Sequence, residues 1–148
     1  MDIKNILLIE DNDNDVELTK RALTKSRIYN RLQVIGDGGE ALKYFFGDDG
    51  KSGCLDNELP LVVLLDLNLP KVNGIEILSK MRAAEKTKLI PMVVLTSSGN
   101  EQDQISRDKL GEVSFIRKPV KFFEFTEAIR LLGLYLLVLN SQPLEAIY

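Results

Sequence analysis

Short runs of leucine and β-branched residues recur along the chain, and longer amphipathic segments separate them. The runs predict strands near 4–9, 31–36, 61–65, 90–95 and 113–117. The segments between them predict helices near 14–27, 38–46, 73–84 and 101–110, with a long last helix near 121–139. Apolar strands that alternate with amphipathic helices are typical of parallel sheets. We therefore predict an α/β fold, a doubly wound five-stranded parallel sheet with helices on both faces.

Length and composition limit the class of protein. At 148 residues the chain has room for one well-packed domain. Its 45% hydrophobic and 28% charged residues are typical of a globular protein and not of a disordered one. The net charge of −3 argues against a nucleic-acid-binding surface.

The apolar segments are too short to predict a membrane anchor. The longest run, Leu131 to Leu139, has about half of the roughly 20 residues that a membrane-spanning helix needs. The N-terminus lacks the basic start and the small-residue cleavage site of a signal peptide, so we expect a cytoplasmic protein that does not contact a membrane. The single cysteine, Cys54, cannot form an internal disulfide, and the absence of histidine excludes Ser-His-Asp chemistry and histidine-ligated metals.

Chemically active side chains follow the predicted strands. Glu10 and Asp11 end the first strand, Asp66 the third, Thr96 the fourth and Lys118 the fifth. In a doubly wound sheet the ligand site lies beyond the carboxyl ends of the strands. Three carboxylates near one point favour a hard divalent cation such as Mg²⁺. Asp66 could then act as a nucleophile toward a phosphoryl group, which Lys118 and Thr96 would stabilise by charge and by a hydroxyl donor.

Four motifs carry a resemblance to a known family. The chain resembles the receiver domain of two-component response regulators from about residue 3 to 131, through "LLIEDN", "LLDLNLPKVNG", "VVLTSS" and "FIRKP". The resemblance implies a flavodoxin-like fold with strand order 2-1-3-4-5, Mg²⁺ as cofactor and a histidine kinase as phosphoryl donor. It also implies a domain at 1–140 with an extended last helix, a C-terminal tail at 141–148 and no separate output domain. The signal would then leave through a protein partner, whose identity the sequence does not indicate.

The resemblance assigns roles to individual residues. Asp66 would be the phosphoacceptor, assisted by Thr96 and Lys118, and the chain would not be an enzyme beyond its own phosphorylation and dephosphorylation. Asp11 and Asp66 would bind Mg²⁺ directly, the backbone carbonyl of Asn68 would add a ligand, and Glu10 would act through water. Thr96 and Phe115 would form a conformational switch.

Two further features resemble a subgroup of the receiver family, and two positions differ from the residues that are common in receivers. The long loop at 47–60 and the apolar last helix are similar to single-domain regulators that partner phytochrome-type histidine kinases. Asn73 stands where many receivers have aspartate, and Gly111-Glu112 replaces a pair of small residues. None of the reacting positions is altered.

The acidic stretch also has features of other kinds of site. Asp11, Asp13 and Asp15 alternate as in a calcium loop, but Val16 and Ala22 stand where glycine and the bidentate glutamate are needed. Asp13 and Asp15 are better explained by the first helix, which Asp13 or Asn14 is expected to cap. A flavodoxin-like protein that binds FMN would place the phosphate in the loop after the first strand. Carboxylates in that loop repel a phosphate, so they argue against FMN binding.

Two further alternatives concern the function of the site. A phosphohydrolase of the haloacid dehalogenase type needs an acid two residues after its nucleophile, where this chain has Asn68. The remaining alternative is a degenerate receiver that acts as a constitutive interaction module.

The last helix predicts an interface. Within residues 122–140 the helix is apolar nearly all round after Arg130, whereas a surface helix has one apolar stripe. With one face packed on the sheet, another face would expose Leu131, Leu134, Tyr135 and Val138. Such a patch marks an interaction site, and we predict a two-fold homodimer through this helix.

Overall fold

The computed structural model describes residues 5–25, 30–50, 53–55, 58–96, 113–117, 123–124, 126–127 and 130–131. Its strands are β1 (Ile6–Ile9), β2 (Leu32–Ile35), β3 (Val62–Asp66), β4 (Met92–Thr96) and β5 (Ser114–Arg117). Its helices are α1 (Asp13–Lys25), α2 (Gly38–Phe46) and α3 (Gly74–Ala83). The predicted helix near 101–110 lies outside the described residues. Residues 123, 124, 126, 127, 130 and 131, the described part of the predicted last helix, are helical.

The strands form one parallel sheet in the order β2-β1-β3-β4-β5, which confirms the predicted order. The register brings the strand ends to one edge. Ile9 pairs with Ile35 on one side and with Leu65 on the other. Asp66 pairs with Leu95, and Thr96 pairs with Arg117. Because parallel strands all point the same way, the residues that follow them meet at this carboxyl edge.

Both faces of the sheet are covered, as the predicted doubly wound fold requires. Odd-numbered residues of β3 contribute to a cluster shared with α2 and α3, whose largest fully buried member is Phe45. The even-numbered residues of β3 pack on the opposite face, where Ala22 and Leu23 of α1 join them. This alternation follows from the two-residue period of a strand. Two separate layers of buried side chains therefore hold the sheet against its helices and fix its carboxyl edge.

Side-chain caps define where the helices begin. The Asn12 side chain accepts a hydrogen bond from the Asp15 N–H at 3.0 Å, and α1 begins at the next residue, Asp13. The prediction that Asp13 or Asn14 caps this helix is therefore wrong by one or two residues. Asp37 caps α2 and Asn73 caps α3. In the part of the chain that the structure describes, no helix is long and apolar enough to cross a bilayer.

Candidate functional site

Three carboxylates meet at the carboxyl edge of the sheet. One oxygen from each of Glu10, Asp11 and Asp66 lies within 4.8 Å of the other two. Asp66 is the last residue of β3, and Glu10 and Asp11 directly follow β1, its hydrogen-bonded neighbour. Glu10 and Asp66 are buried and Asp11 is exposed, so the cluster opens to solvent on one side. Asp13 and Asp15 do not belong to it.

Backbone amides orient the two buried carboxylates. The Asn12 N–H donates to Glu10 Oε1 at 3.1 Å, and the Asn68 N–H donates to Asp66 Oδ1 at 2.9 Å. Each bond runs from an amide two residues further along the chain, so the turn after each strand fixes the carboxylate that precedes it. These two hydrogen bonds hold the Glu10 and Asp66 carboxylates in place at the edge of the sheet.

The cluster suits one hydrated divalent cation. Mg²⁺ takes oxygen ligands at about 2.0–2.1 Å in an octahedron and keeps several waters. Two oxygens bound to the same ion are therefore at most about 4.2 Å apart. A group of oxygens within 4.8 Å can hold such an ion through a mixture of direct and water-mediated contacts. Like charges placed this close also repel each other, and a shared cation relieves that repulsion.

Thr96 and Phe115 lie on adjacent strands and on the same face of the sheet. Thr96, the last residue of β4, is buried. Val94 pairs with Phe115 in the register of β4 and β5, and Thr96 lies two residues further along on the same face. Phe115 is half-buried and packs against the cluster shared with α2 and α3. Thr96 and Phe115 are therefore diagonal neighbours on one face of the sheet.

Several predicted residues cannot be placed. Lys118, Leu134, Tyr135 and Val138 lie outside the described residues. The chain position of Lys118 is informative all the same, because it follows Arg117, which pairs with Thr96 at the end of β5. The fourth residue predicted at the dimer interface, Leu131, is helical and 64% exposed.

The structure adds contacts that the sequence pattern did not indicate. Lys71 lies in the loop after β3, and its ammonium is 3.6 Å from the Asp37 carboxylate of the β2–α2 corner. The backbone hydrogen bond from Glu40 is the largest cause that holds the pKa of Asp37 below its ordinary value; desolvation opposes it, and the Gly39 hydrogen bond and Lys71 add smaller lowering effects. A local "GDGG" turn predicts the cap, but nothing local predicts its partner in another loop.

Family and relatives by sequence agree with this geometry. Residues 6–130 match the family model described as the response regulator receiver domain. The chain is similar to the probable methanogenesis regulatory protein FilR2 of Methanothrix harundinacea, with 36% identity over 139 residues that cover 93% of this chain and 86% of that protein. It is also similar to the response regulator Rcp1 of Synechocystis sp., with 37% identity over 116 residues that cover 78% of this chain and 76% of Rcp1.

Solved structures point to the same family. The bacteriophytochrome response regulator AtBRR is 43% identical, with a TM-score of 0.71 over 90% of this chain and 94% of that one. The phosphorylated cyanobacterial phytochrome response regulator RcpA is 31% identical, with a TM-score of 0.73 over 92% and 95%. The Mn²⁺-bound form of Rcp1 is 32% identical, with a TM-score of 0.68 over 86% and 89%.

Proposed function

Because this chain belongs to the response regulator receiver domain family of two-component signalling, we propose that it accepts a phosphoryl group on Asp66 from a histidine kinase. The observation that carries the proposal is the cluster of Glu10, Asp11 and Asp66 at the carboxyl edge of the sheet. A degenerate receiver would lack an acceptor in such a cluster. The proposal makes the chain a phosphoprotein and not an enzyme that acts on a separate substrate.

In the proposed reaction an Asp66 carboxylate oxygen attacks the phosphorus of a phosphohistidine on the donor. The new O–P bond forms while the N–P bond breaks, and the imidazole nitrogen keeps the electron pair and then takes a proton. The Asn68 N–H donates to Asp66 Oδ1 at 2.9 Å and so orients the acceptor carboxylate. Lys118 and Thr96 would stabilise the transferred oxygens by charge and by hydrogen bonding.

Asp11 and Asp66 would hold Mg²⁺ directly, the Asn68 carbonyl would complete the protein ligands, and Glu10 would bind through water. When bound, the ion offsets the charge of the carboxylates and of the incoming phosphoryl group. A related regulator, Rcp1, has been solved with Mn²⁺, which supports a divalent cation here. Oxygen ligands alone, with no histidine or thiol, favour Mg²⁺ or Mn²⁺ over softer metals.

The acceptor is tested by intact-mass spectrometry with acetyl phosphate and Mg²⁺. We expect the wild-type chain to gain one phosphoryl group, and chelation of Mg²⁺ to abolish the gain. Asp66→Asn should gain none. Asp13→Asn is the matched control, because Asp13 is a nearby exposed aspartate outside the cluster, and it should be labelled like the wild type. Equal labelling of Asp66→Asn and wild type would rule out Asp66 as the acceptor.

Phosphorylation would be read out through Thr96 and Phe115. Once Asp66 is phosphorylated, the Thr96 hydroxyl would turn toward the phosphoryl group and leave space into which Phe115 moves. The test compares amide NMR spectra before and after phosphorylation. Thr96→Ala should keep the label and lose the changes around residues 113–117. The matched control is Thr19→Ala, which removes another buried threonine hydroxyl, in α1, and should keep them. Retention of every change in Thr96→Ala would exclude this coupling.

A phytochrome-type histidine kinase is the proposed donor. The support is the similarity to AtBRR and RcpA, two phytochrome response regulators. Because histidine kinases draw on ATP, the proposal includes a cytoplasmic location, with a downstream protein partner and no contact with nucleic acid or membrane. Transfer of radioactive phosphate from a phosphorylated bacteriophytochrome kinase tests it. If a histidine kinase without a phytochrome module, taken from the same organism as the bacteriophytochrome kinase, transferred phosphate to this chain faster, the assignment would be contradicted.

The chain is also proposed to form a two-fold homodimer through its last helix. Phe123 and Leu131 are 74% and 64% exposed there, and a spacing of eight residues places them on one side of a helix. Leu134 and Val138 continue the same side by sequence period, with Tyr135 at its margin. Sedimentation equilibrium should give twice the chain mass for wild type and the single mass for a Leu134→Glu, Val138→Glu double variant. A single-chain mass for wild type at micromolar concentration would refute the dimer.

A further inference from the structure

The loop between β3 and α3, residues 67–73, contains a strained turn. Lys71 has a φ of 67°, and it is the one residue other than glycine with positive φ among the residues that the structure describes. The Val72 N–H donates to the Pro70 carbonyl at 2.8 Å across it, so Lys71 is the central residue of a γ-turn. Positive φ is uncommon for a lysine, and such backbone strain persists only where surrounding contacts maintain it.

One such contact is an ion pair with the β2–α2 corner. The Lys71 ammonium is 3.6 Å from Asp37 Oδ2. The other carboxylate oxygen, Oδ1, accepts hydrogen bonds from the Gly39 N–H at 2.7 Å and the Glu40 N–H at 3.1 Å. Because these two amides begin α2, the carboxylate is held by a rigid element. It therefore gives the lysine a fixed point rather than a freely moving partner.

A second contact lies beside the first. A Cβ built on Gly38 would be 2.9 Å from Val72 Cβ and 3.0 Å from the Val72 carbonyl oxygen. The backbone at the start of α2 thus presses against the loop one residue after Lys71. The β2–α2 corner, residues 36–39, therefore contacts two successive residues of the loop, one by charge and one by packing.

The same loop carries the proposed metal ligand. Asn68 lies between Asp66, which its N–H holds, and the strained turn at Lys71. The far end is fixed by Gly74, whose N–H donates to the Leu67 carbonyl at 3.3 Å. The position of the Asn68 carbonyl is therefore set by the acceptor on one side and by the turn on the other.

We propose that Asp37 and Lys71 are positioning residues, which hold the β3–α3 loop so that the Asn68 carbonyl meets the divalent cation. This inference rests on the proposed function and adds the β2–α2 corner to the residues that set metal affinity. Neither side chain belongs to the carboxylate cluster. Their effect passes through the backbone of residues 68–71.

The direction in which Mg²⁺ affinity changes distinguishes a positioning role of Lys71 from a purely electrostatic one. Removing the positive charge of Lys71 beside an anionic site favours cation binding by simple charge, so electrostatics alone predicts tighter binding. Loss of the positioning contact predicts weaker binding. The pair is largely solvent-exposed on the lysine side, with 79% of the Lys71 side chain accessible. Exposed ion pairs contribute modestly, which corresponds to about a two- to fivefold loss of affinity.

Titration of the apo protein with MgCl₂, followed by amide NMR, measures this affinity without phosphorylation. Lys71→Gln is the main variant, because glutamine, like lysine, has no special preference for positive φ and the exchange removes only the charge. Asp37→Asn keeps a side-chain oxygen for the helix cap and removes only the charge. Lys71→Arg keeps the charge and should preserve binding. Lys80→Gln is the matched control, because Lys80 makes a comparable exposed pair with Glu76 at 3.5 Å in α3.

We expect Lys71→Gln and Asp37→Asn each to weaken Mg²⁺ binding about two- to fivefold, and the double variant to bind no more weakly than either single one. Lys71→Arg and Lys80→Gln should bind like wild type, and thermal unfolding without Mg²⁺ should show that every variant is folded at the temperature of the titration. Equal or tighter binding by Lys71→Gln, with wild type binding normally, would overturn the positioning role alone. A wild-type chain whose Glu10, Asp11 and Asp66 amides do not respond to Mg²⁺ would overturn the proposed function as well.

Discussion

Gly74→Ala is the substitution for which the structure predicts a large effect from a single methyl group. Gly74 is the first residue of α3, directly after the loop that follows Asp66. A Cβ at this position would be 2.5 Å from Leu67 Cα and 2.8 Å from the Asp66 carbonyl oxygen. Ordinary contacts begin at 3.4 Å, so the closest approach is short by about 0.9 Å. Because both neighbours are backbone atoms, neither can rotate away.

Two opposing effects set the size of the change. Alanine is preferred over glycine by at most about 1 kcal/mol in a helix interior, and by less at a first position. Overpacking costs about 1–3 kcal/mol. The free energy of unfolding should therefore fall by about 1–2 kcal/mol. At a urea dependence of about 2 kcal/mol per M, the unfolding midpoint should fall by about 0.5–1 M.

The assay pairs urea unfolding with the rate of labelling by acetyl phosphate. The free energy of unfolding of a typical domain is about 5–15 kcal/mol, so a domain that loses about 2 kcal/mol remains almost wholly folded in buffer. A slower labelling rate would then report displacement of the Asp66 backbone rather than unfolding. Gly36→Ala is the control, because its Cβ would be 3.7 Å from the nearest atom, the Glu10 carbonyl oxygen. Its midpoint and its labelling rate should match the wild type. An unchanged midpoint for Gly74→Ala would refute the packing argument.

Three other substitutions test separate contacts. Asn73→Ala removes the cap whose Oδ1 accepts from the Ile75 N–H at 2.7 Å, and should cost about 1 kcal/mol in urea unfolding, whereas Asn73→Asp should cost little. Phe45→Ala empties a fully buried site and should cost about 3–5 kcal/mol, and a loss below 1 kcal/mol would contradict its place in the core. Tyr44 donates to the Glu58 carbonyl at 2.9 Å, and desolvation, with smaller effects of Cys54 and Glu58, raises its pKa above 10.0. The stability that it contributes should be complete below pH 10.0 and lost as pH rises through the raised value, and ultraviolet titration of wild type against Tyr44→Phe should show a midpoint above 10.0 for this group.

The sheet and the acidic cluster could be predicted because both depend on patterns that are local in sequence. The apolar run before Asp66 identifies β3, and the strand ends at this residue. The rule that parallel strands end at one edge then brings Glu10 and Asp11 beside it. No contact between distant loops has to be known for this step. The spacing of the carboxylates to within 4.8 Å, however, came only from the structure.

The start of α1 was predicted one or two residues too late for a physical reason. Asn12, Asp13 and Asn14 are all good capping residues, so composition does not choose among them. The choice depends on where the backbone leaves the extended conformation after Asp11. In the structure Asn12 takes the cap, and Asp13 lies in the first turn, where its charge favours the helix dipole.

The Asp37–Lys71 contact could not be predicted from periodicity or motifs. Each residue belongs to a loop, and the two loops meet only because β2 and β3 flank β1 in the sheet. A lysine in the sequence does not indicate positive φ, because glycine or asparagine is usual at such positions, so the conformation of Lys71 could not be predicted. Contacts of this kind follow from tertiary structure and not from local preference.

The central place of β3 bears on amide hydrogen exchange. All five residues of β3 are buried, and β1 and β4 are hydrogen-bonded to its two sides. Such amides exchange only when the whole domain opens, whereas loop amides exchange through small local openings. Asp66 therefore ends a well-protected strand and adjoins a loop with solvent-exposed residues such as Asn68 and Lys71. The proposed acceptor carboxylate is attached to a protected strand, so we expect the motions that would admit a donor and release a signal to come from the loops around it.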